Sequence, residues 1–321
     1  MSRNRFPFGI PAGWYVVATS QEVEPGQVVC RRYFDRELVV YRTQGGEVSV
    51  IDAYCPHMGA HLGKLGKVEG EALRCGFHGF RYGLDGHCVA TEYDSPPPEG
   101  ARLRRWEHRE FYGLILVWFH PLDDPPDWEV PVIDRQGWSD IRIKHYQIAT
   151  HPQETTENSV DFGHFTRLHG FVDGAVTRPI RIDGPFLDTS YSAFRSYPGF
   201  RLRVAYDVKV AGLGYSQVEI SIPQLHLQLR AWVLPVPVDG EHIELRLGLS
   251  AVQTPGLTML LRRIGHAILC KEIDQDLDVW EHKAYLESPE LAKGDGPIGA
   301  YRRWASQFYS VSNSSSDFGA S

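Results

Sequence analysis

The sequence predicts an α+β protein in two parts: a small antiparallel β domain at the N-terminus, then a larger antiparallel sheet with helices packed on it. Three observations carry that reading. Short β-branched and aromatic runs, separated by turn residues, fill the first 120 positions. A stretch rich in proline and acid, residues 121–131, then breaks the pattern. Beyond it, long alternating strands in 178–250 lie between two stretches of helical periodicity, 153–170 and 258–286.

In chain order, residues 14–18, 27–32, 37–42 and 48–52 read as strands, punctuated by Pro25-Gly26 and Gly45-Gly46. Residues 72–74, 80–82, 88–90 and 114–119 continue them, which sets the first domain at 13–120. The second domain, 121–310, opens on the linker-like stretch 121–131. Strands are expected at 201–210, 217–222, 224–234 and 242–253. The helix over 258–286 is marked by Leu260, Leu261, Ile264, Ile268, Ile273, Leu277 and Trp280. A polar tail, 311–321, is expected to fray. The sequence shows no internal repeat.

Composition narrows the class. With 42% apolar and 23% charged residues the chain reads as soluble and globular, and a net charge of −7 offers no basic footprint for nucleic acid or an anionic membrane. The longest apolar run, residues 113–119, is far short of a membrane span. Residues 1–9 carry Arg3 and Arg5 with no apolar stretch behind them, so no signal peptide is expected and the default address is the cytoplasm. Five cysteines, an odd number, argue against a disulfide framework. Cys30, Cys88 and Cys270 are expected to be small buried apolar residues.

The other two cysteines sit beside histidines. Cys55, His57, Cys75 and His78 follow the spacing C-x-H-x17-C-x2-H, with each pair in a loop between predicted strands. Two thiolates and two imidazoles suit either zinc or a Rieske [2Fe–2S] cluster. A zinc ribbon more often shows two C-x2-C knuckles, which favours the cluster. Glycines at 59, 76 and 79 let backbone N–H groups approach the sulfurs and tune the potential. The full stretches are Cys55-Pro56-His57-Met58-Gly59-Ala60-His61-Leu62 and Cys75-Gly76-Phe77-His78-Gly79-Phe80-Arg81-Tyr82-Gly83-Leu84-Asp85-Gly86. They resemble the Rieske domain of Rieske oxygenases. Phe80 stands where that family more often has Trp, and it keeps the aromatic ring.

A second pattern, D-x2-H-x4-H, is formed by Asp161, His164 and His169. Asp161 and His164 are three apart, as on one helical face. His164 and His169 diverge by about 140° in a straight helix, so they converge only if the helix distorts or ends between them, and Gly170 is a terminator. Two histidines and a carboxylate make the facial triad that holds Fe(II) with positions open for O2. Alone the pattern is weak, since two solvated histidines on a helix would look the same. With Asn158 it completes the family's N-x2-D-x2-H-x4-H. The resemblance implies that His164 and His169 bind iron. It also implies that Asp161 is a carboxylate bridging across a subunit boundary to a cluster-binding histidine. The third ligand is implied to be an Asp on a late helix, with Asp274, Asp276 and Asp278 as candidates. Matching Asp276, Trp280 and Lys283 to the family's D-x3-W-x2-K favours Asp276.

Residues 157–170 and the C-terminal run from Trp280 to Tyr309 are similar to the steroid-acting branch, the 3-ketosteroid 9α-hydroxylases and cholesterol 7-desaturases. The C-terminal likeness is equally read as packing for the helix that carries the third ligand. The resemblance implies a helix-grip-like catalytic domain, a [2Fe–2S] cluster, mononuclear Fe(II) and a hydrophobic, steroid-like substrate. It further implies O2 as co-substrate, a separate ferredoxin or flavin-containing reductase, and a head-to-tail homotrimer. No G-x-G-x-x-G follows a strand, so no flavin or nicotinamide site is expected in this chain. The rival readings are a Rieske oxygenase acting on another compound, by hydroxylation or O- or N-demethylation, and a Rieske electron carrier without chemistry of its own. Residues 121–321, with their second triad, argue against the carrier.

Overall fold

The computed structural model describes residues 5–309. The predicted polar tail and the first four residues lie outside the described residues. The first part is built from three small antiparallel sheets. Strand β1 (Gly13–Thr19) pairs with a strand near the end of the domain and closes it. Next come β2 (Val28–Tyr33), β3 (Arg36–Arg42) and β4 (Val48–Asp52), a three-stranded meander. After one helical turn, α1 (Leu62–Leu65), a ribbon of four short strands follows: β5 (Lys67–Glu69), β6 (Ala72–Arg74), β7 (Arg81–Tyr82) and β8 (Cys88–Ala90). Finally β9 (His108–Phe111) and β10 (Leu114–Phe119) complete a sheet in the order β1-β10-β9. Every residue of β10 is buried, which explains its continuous apolar sequence. The expected strands appear within one or two residues of their predicted bounds. β5 and β9 were not expected, being three and four residues long with no apolar alternation.

The stretch 121–131 does not behave as a free linker. Trp128 packs against Trp118, Phe186 and Phe308, and its carbonyl accepts from Trp14 Nε1 at 2.8 Å. The second part is a seven-stranded antiparallel sheet. Its strands are β11 (Arg142–Ile148), β12 (Val172–Asp183), β13 (Phe186–Tyr197), β14 (Phe200–Ala211), β15 (Tyr215–Ile222), β16 (Leu227–Pro237) and β17 (Ile243–Ala251). Their order is β11-β17-β16-β15-β14-β13-β12. β12 is an exposed edge strand carrying Pro179, and its pairing with β13 shifts register three times, so it lacks a clean alternation. The strand expected at 224–234 begins later, because Pro223–Leu225 form a 3-10 turn and His226 is left-handed at φ 47°.

Residues 153–170 are two short helices instead of one: α2 (Pro152–Glu157) and α3 (Gly163–Arg167). α2 is buried throughout although its sequence is polar. Arg302 pairs with Glu157 at 2.7 Å, the Tyr301 hydroxyl donates to the Gln153 carbonyl at 2.7 Å, and Thr156 donates to the Leu213 carbonyl at 3.2 Å. A helix of Glu, Gln and Thr is tolerated inside because its polar groups are paired. The long helix α4 (Thr258–His282) buries His266, Cys270, Ile273, Asp276 and Trp280 along one stripe, and α5 (Ile298–Ala305) covers α2. α4 ends at His282, four residues earlier than expected. Among the described residues no helix is long and apolar enough to cross a membrane.

The two parts share an interface. Arg246, fully buried on β17, donates to the Val16 and Val17 carbonyls and to the Tyr33 hydroxyl at 2.7–2.9 Å. Val236 of β16 lies in the same core as Tyr15, Phe34 and Val117.

Candidate metal centres

Cys55 and Cys75 occupy two copies of one turn. The Cys55 N–H donates to the Ala60 carbonyl at 2.9 Å and the Gly59 N–H returns to the Cys55 carbonyl at 2.9 Å. In the second loop the Cys75 N–H donates to the Phe80 carbonyl at 2.8 Å and the Gly79 N–H to the Cys75 carbonyl at 3.0 Å. Gly59 and Gly79 close these turns at φ 73° and 72°, a conformation that costs an L side chain about 1–2 kcal/mol. The loops face each other: the His57 and His78 rings lie 4.7 Å apart, while both cysteines are buried. The ring of Phe80 stacks on His57 at 4.2 Å, so Phe fulfils the aromatic position.

Two buried sulfurs and two half-exposed imidazoles from opposed loops suit a cluster that takes thiolates on one iron and histidines on the other. The Tyr82 hydroxyl also lies 3.0 Å from Cys55 Sγ. Sequence reasoning noted Tyr82 only as a motif position, and a tyrosine in a strand gives no sign of a sulfur partner.

The second group lies where α3, the chain just beyond it, and α4 meet. α3 ends at Arg167, and Gly170 turns left-handed at φ 69°. His169 therefore swings off the helix and its ring comes within 5.1 Å of His164. Asp276 enters from α4, and ligand atoms of His164, His169 and Asp276 all lie within 4.8 Å of one another. Asp274 and Asp278 are elsewhere: Asp274 binds Lys144 at 3.2 Å and Tyr146 at 2.9 Å, and Asp278 is exposed.

His169 Nε2 is 3.4 Å from Asp276 Oδ1, and its Nδ1 lies 3.0 Å from Gln275 Oε1. Gln275 thus holds the Nδ1–H and turns the Nε2 lone pair inward. Nothing in the spacing marks this glutamine, since a Gln on a helix is usually solvated. Burial opposes a charged His169, but the hydrogen bonds of Asp276 and Gln275 outweigh it and raise its pKa.

Asp161 is not on the helix with His164. It stands in the turn before α3, where Oδ1 accepts from the Gly163 N–H at 3.1 Å and the His164 N–H at 3.4 Å. Its Oδ2 lies 3.4 Å from His164 Nδ1 without hydrogen-bond alignment, so that nitrogen has no partner.

The triad opens on a cavity of about 100 Å³. Tyr191 of β13, Tyr206 of β14, Val218 and Ile220 of β15 and Ala231 and Val233 of β16 line it from the sheet, and Phe165 of α3 and Ile273 and Trp280 of α4 line it as well. A second, mostly apolar cavity of about 130 Å³ shares Tyr206, Ile220, Leu269 and Glu272 with it. Glu272 is paired with Arg195 where the two meet.

A β domain whose two loops each bring a cysteine and a histidine together, followed by a seven-stranded sheet whose long helix adds a carboxylate to two histidines, defines a Rieske oxygenase, with a [2Fe–2S] cluster and a mononuclear non-haem iron. The family models agree: residues 13–107 match the Rieske [2Fe-2S] domain and residues 117–309 the 3-ketosteroid 9alpha-hydroxylase C-terminal domain. The chain belongs to that family of Rieske oxygenases. A cholesterol 7-desaturase of Ciona intestinalis is 31% identical over 93% of this chain and 68% of its own length. The oxygenase component of a 3-ketosteroid-9-alpha-monooxygenase of Rhodococcus rhodochrous is 26% identical over 94% of this chain and 85% of its own length. Among solved structures, Pseudomonas putida CBB5 NdmA with caffeine superposes with a TM-score of 0.75 at 21% identity, covering 91% of this chain and 89% of that one. Dicamba monooxygenase bound to dicamba gives 0.72 at 19%, covering 92% and 96%.

Proposed function

We propose that this chain is the oxygenase component of a system that hydroxylates or desaturates a hydrophobic, steroid-like substrate. It uses O2 and takes electrons from a separate ferredoxin or flavin-containing reductase. In this reading Cys55, His57, Cys75 and His78 hold the [2Fe–2S] cluster, and His164, His169 and Asp276 hold Fe(II). The bound iron supplies the oxygen chemistry. The chain supplies position and exclusion of water. Gln275 fixes the His169 tautomer, and the aromatic and aliphatic walls desolvate the substrate. In the same reading Asp161 is the carboxylate that links His164 to a cluster-binding histidine of a neighbouring copy, and the working form is a homotrimer. The cytoplasm is the proposed location.

The observation that carries the substrate class is the apolar cavity at the triad. Its lining is mostly aliphatic and aromatic with a few polar groups, as in small-molecule sites, and it continues into a second, mostly apolar cavity. The similarity to proteins named for cholesterol and 3-ketosteroids points the same way. The test is turnover with a surrogate reductase against a panel of sterols, 3-ketosteroids and small methoxy- or N-methyl-aromatic compounds, read by mass spectrometry. A product heavier by one oxygen, or lighter by two hydrogens, from a steroid is expected. Demethylation of the small aromatics with no steroid product would overturn the substrate class. An iron content of about two per chain instead of about three would overturn the oxygenase assignment itself.

A further inference from the structure

Cys30, set aside in the sequence as a small apolar residue, does not sit among apolar neighbours alone. It lies on β2 beside Glu37 of β3 and His61, the residue just before α1. His61 Nε2 is 3.7 Å from Cys30 Sγ and 3.7 Å from Glu37 Oε1. All three ligand atoms lie within 4.8 Å of one another. Of the described residues, only this trio and the iron triad bring three such ligand atoms so close. Zn–S bonds of ~2.3 Å and Zn–N or Zn–O bonds of ~2.0–2.2 Å give tetrahedral edges of ~3.3–3.6 Å, so the two measured edges need only close slightly on an ion.

Each side chain is also arranged for the task. The Tyr54 hydroxyl donates to Glu37 Oε2, which leaves Oε1 turned to the other two groups. The His61 ring packs edge-on against Tyr54, and Nε2 is the nitrogen turned to Cys30 and Glu37. Glu37 keeps 40% of its side chain exposed, so water has access to a fourth position.

We infer that Cys30, Glu37 and His61 form a third metal site, separate from both iron centres, that takes Zn2+ with a water completing the tetrahedron. Soft thiolate, imidazole and carboxylate together are a zinc donor set. Its position gives it a purpose. Tyr54 and His61 pair across the two ends of the Cys55–Ala60 turn. An ion bound to His61 and Glu37, with Tyr54 on the same carboxylate, would pin that cluster-binding loop to the β2–β3 hairpin.

The experiment is metal analysis of the full-length holoprotein after equilibration with zinc and gel filtration, together with zinc-edge X-ray absorption. About one zinc per chain is expected in addition to the full iron content. The zinc shell should hold one sulfur at ~2.3 Å and lighter ligands at ~2.0–2.2 Å. Cys30→Ser should lose the sulfur shell and most of the zinc while keeping the iron and the Rieske paramagnetic signal. Should that variant fail to fold, Glu37→Gln provides the same comparison, with zinc retention expected to fall at least tenfold. Absence of zinc from the wild type would overturn the site. So would zinc retained equally by the variants, or two sulfurs in its shell with a matching deficit of iron, which would place it on Cys55 and Cys75.

Discussion

The Tyr82 hydroxyl beside Cys55 Sγ is a single atom with a measurable consequence. Once the sulfur is a metal-bound thiolate it can only accept, so Tyr82 donates to it. A donor to a cluster sulfur favours the reduced, more negative state. Tyr82→Phe removes the donor and keeps the buried ring. The cluster potential should fall by on the order of 40 mV, which corresponds to about 1 kcal/mol of lost preferential stabilisation. A redox titration followed by electron paramagnetic resonance measures it, and an unchanged potential would reduce Tyr82 to a packing residue. The same position shows what a sequence reveals at this scale. The grouping of Cys55, His57, Cys75 and His78 in two opposed loops was legible because cysteine and histidine at that spacing are rare. Tyr82, Gln275 and the trio around Cys30 were not, because tyrosine, glutamine and a lone cysteine serve many ordinary purposes and their partners come from elsewhere in the chain.

Between the strands and helices, the sequence showed which elements exist better than how they end. β10 and α4 were plain from their apolar patterns, whereas β12, an exposed edge with Pro179 and three register shifts, had no pattern to read. The segment 153–170 is instructive. Its composition reads as one helix, yet Asp161 starts a second one by accepting the Gly163 and His164 N–H groups, and the break is hidden in tertiary contacts. A cradle at Gly296 reinforces it, since a Cβ there would lie 2.2 Å from the Val160 carbonyl. The far end of α3 matters more for function, because Gly170 at φ 69° lets His169 leave the helix and meet His164. Gly170→Ala meets no neighbouring atom, so its effect is purely the left-handed strain of about 1 kcal/mol. The expected outcome is a stability loss of that size and a several-fold faster release of mononuclear iron to a chelator, with the Rieske signal unchanged. Iron release at the wild-type rate would show that this turn does not position His169.

At the scale of the whole molecule, two charged groups tie parts together. Glu244 of β17 receives His145 at 3.0 Å and Gln147 at 3.0 Å, and lies 2.8 Å from the buried Arg246 that clasps the first domain. Burial opposes the carboxylate, but the His145 hydrogen bond and the Arg246 charge outweigh it and lower its pKa to about 2. A carboxylate depressed in the folded state contributes its stability in full above its unfolded pKa, near 4.5, and loses it as pH falls towards 2. Glu244→Gln should therefore be less stable than wild type at pH 7 by ~2 kcal/mol, partly because Arg246 is left buried without its anion. Denaturant unfolding should show that gap narrowing between pH 4.5 and 2, and a gap independent of pH would remove Glu244 from the account. The other group is Asp161, whose proposed role reaches beyond one chain. Its Oδ1 is committed within the turn, while Oδ2 lies beside His164 Nδ1 and the side chain remains 34% exposed. A carboxylate with one oxygen fixed and the other near a histidine proposed to bind iron is suited to receive a donor from a neighbouring copy. Asn at this position keeps an oxygen for the Gly163 and His164 N–H groups, so the local turn survives. It replaces Oδ2 with a donor and removes the charge. Asp161→Asn should accordingly retain the wild-type mass in light scattering, full iron and a reducible cluster, yet form product about 100-fold more slowly in a single turnover. A variant as fast as wild type would exclude Asp161 as the bridge. A wild-type protein that is monomeric at full activity would exclude the bridge and the trimer together, because a link between copies has no meaning in a single chain.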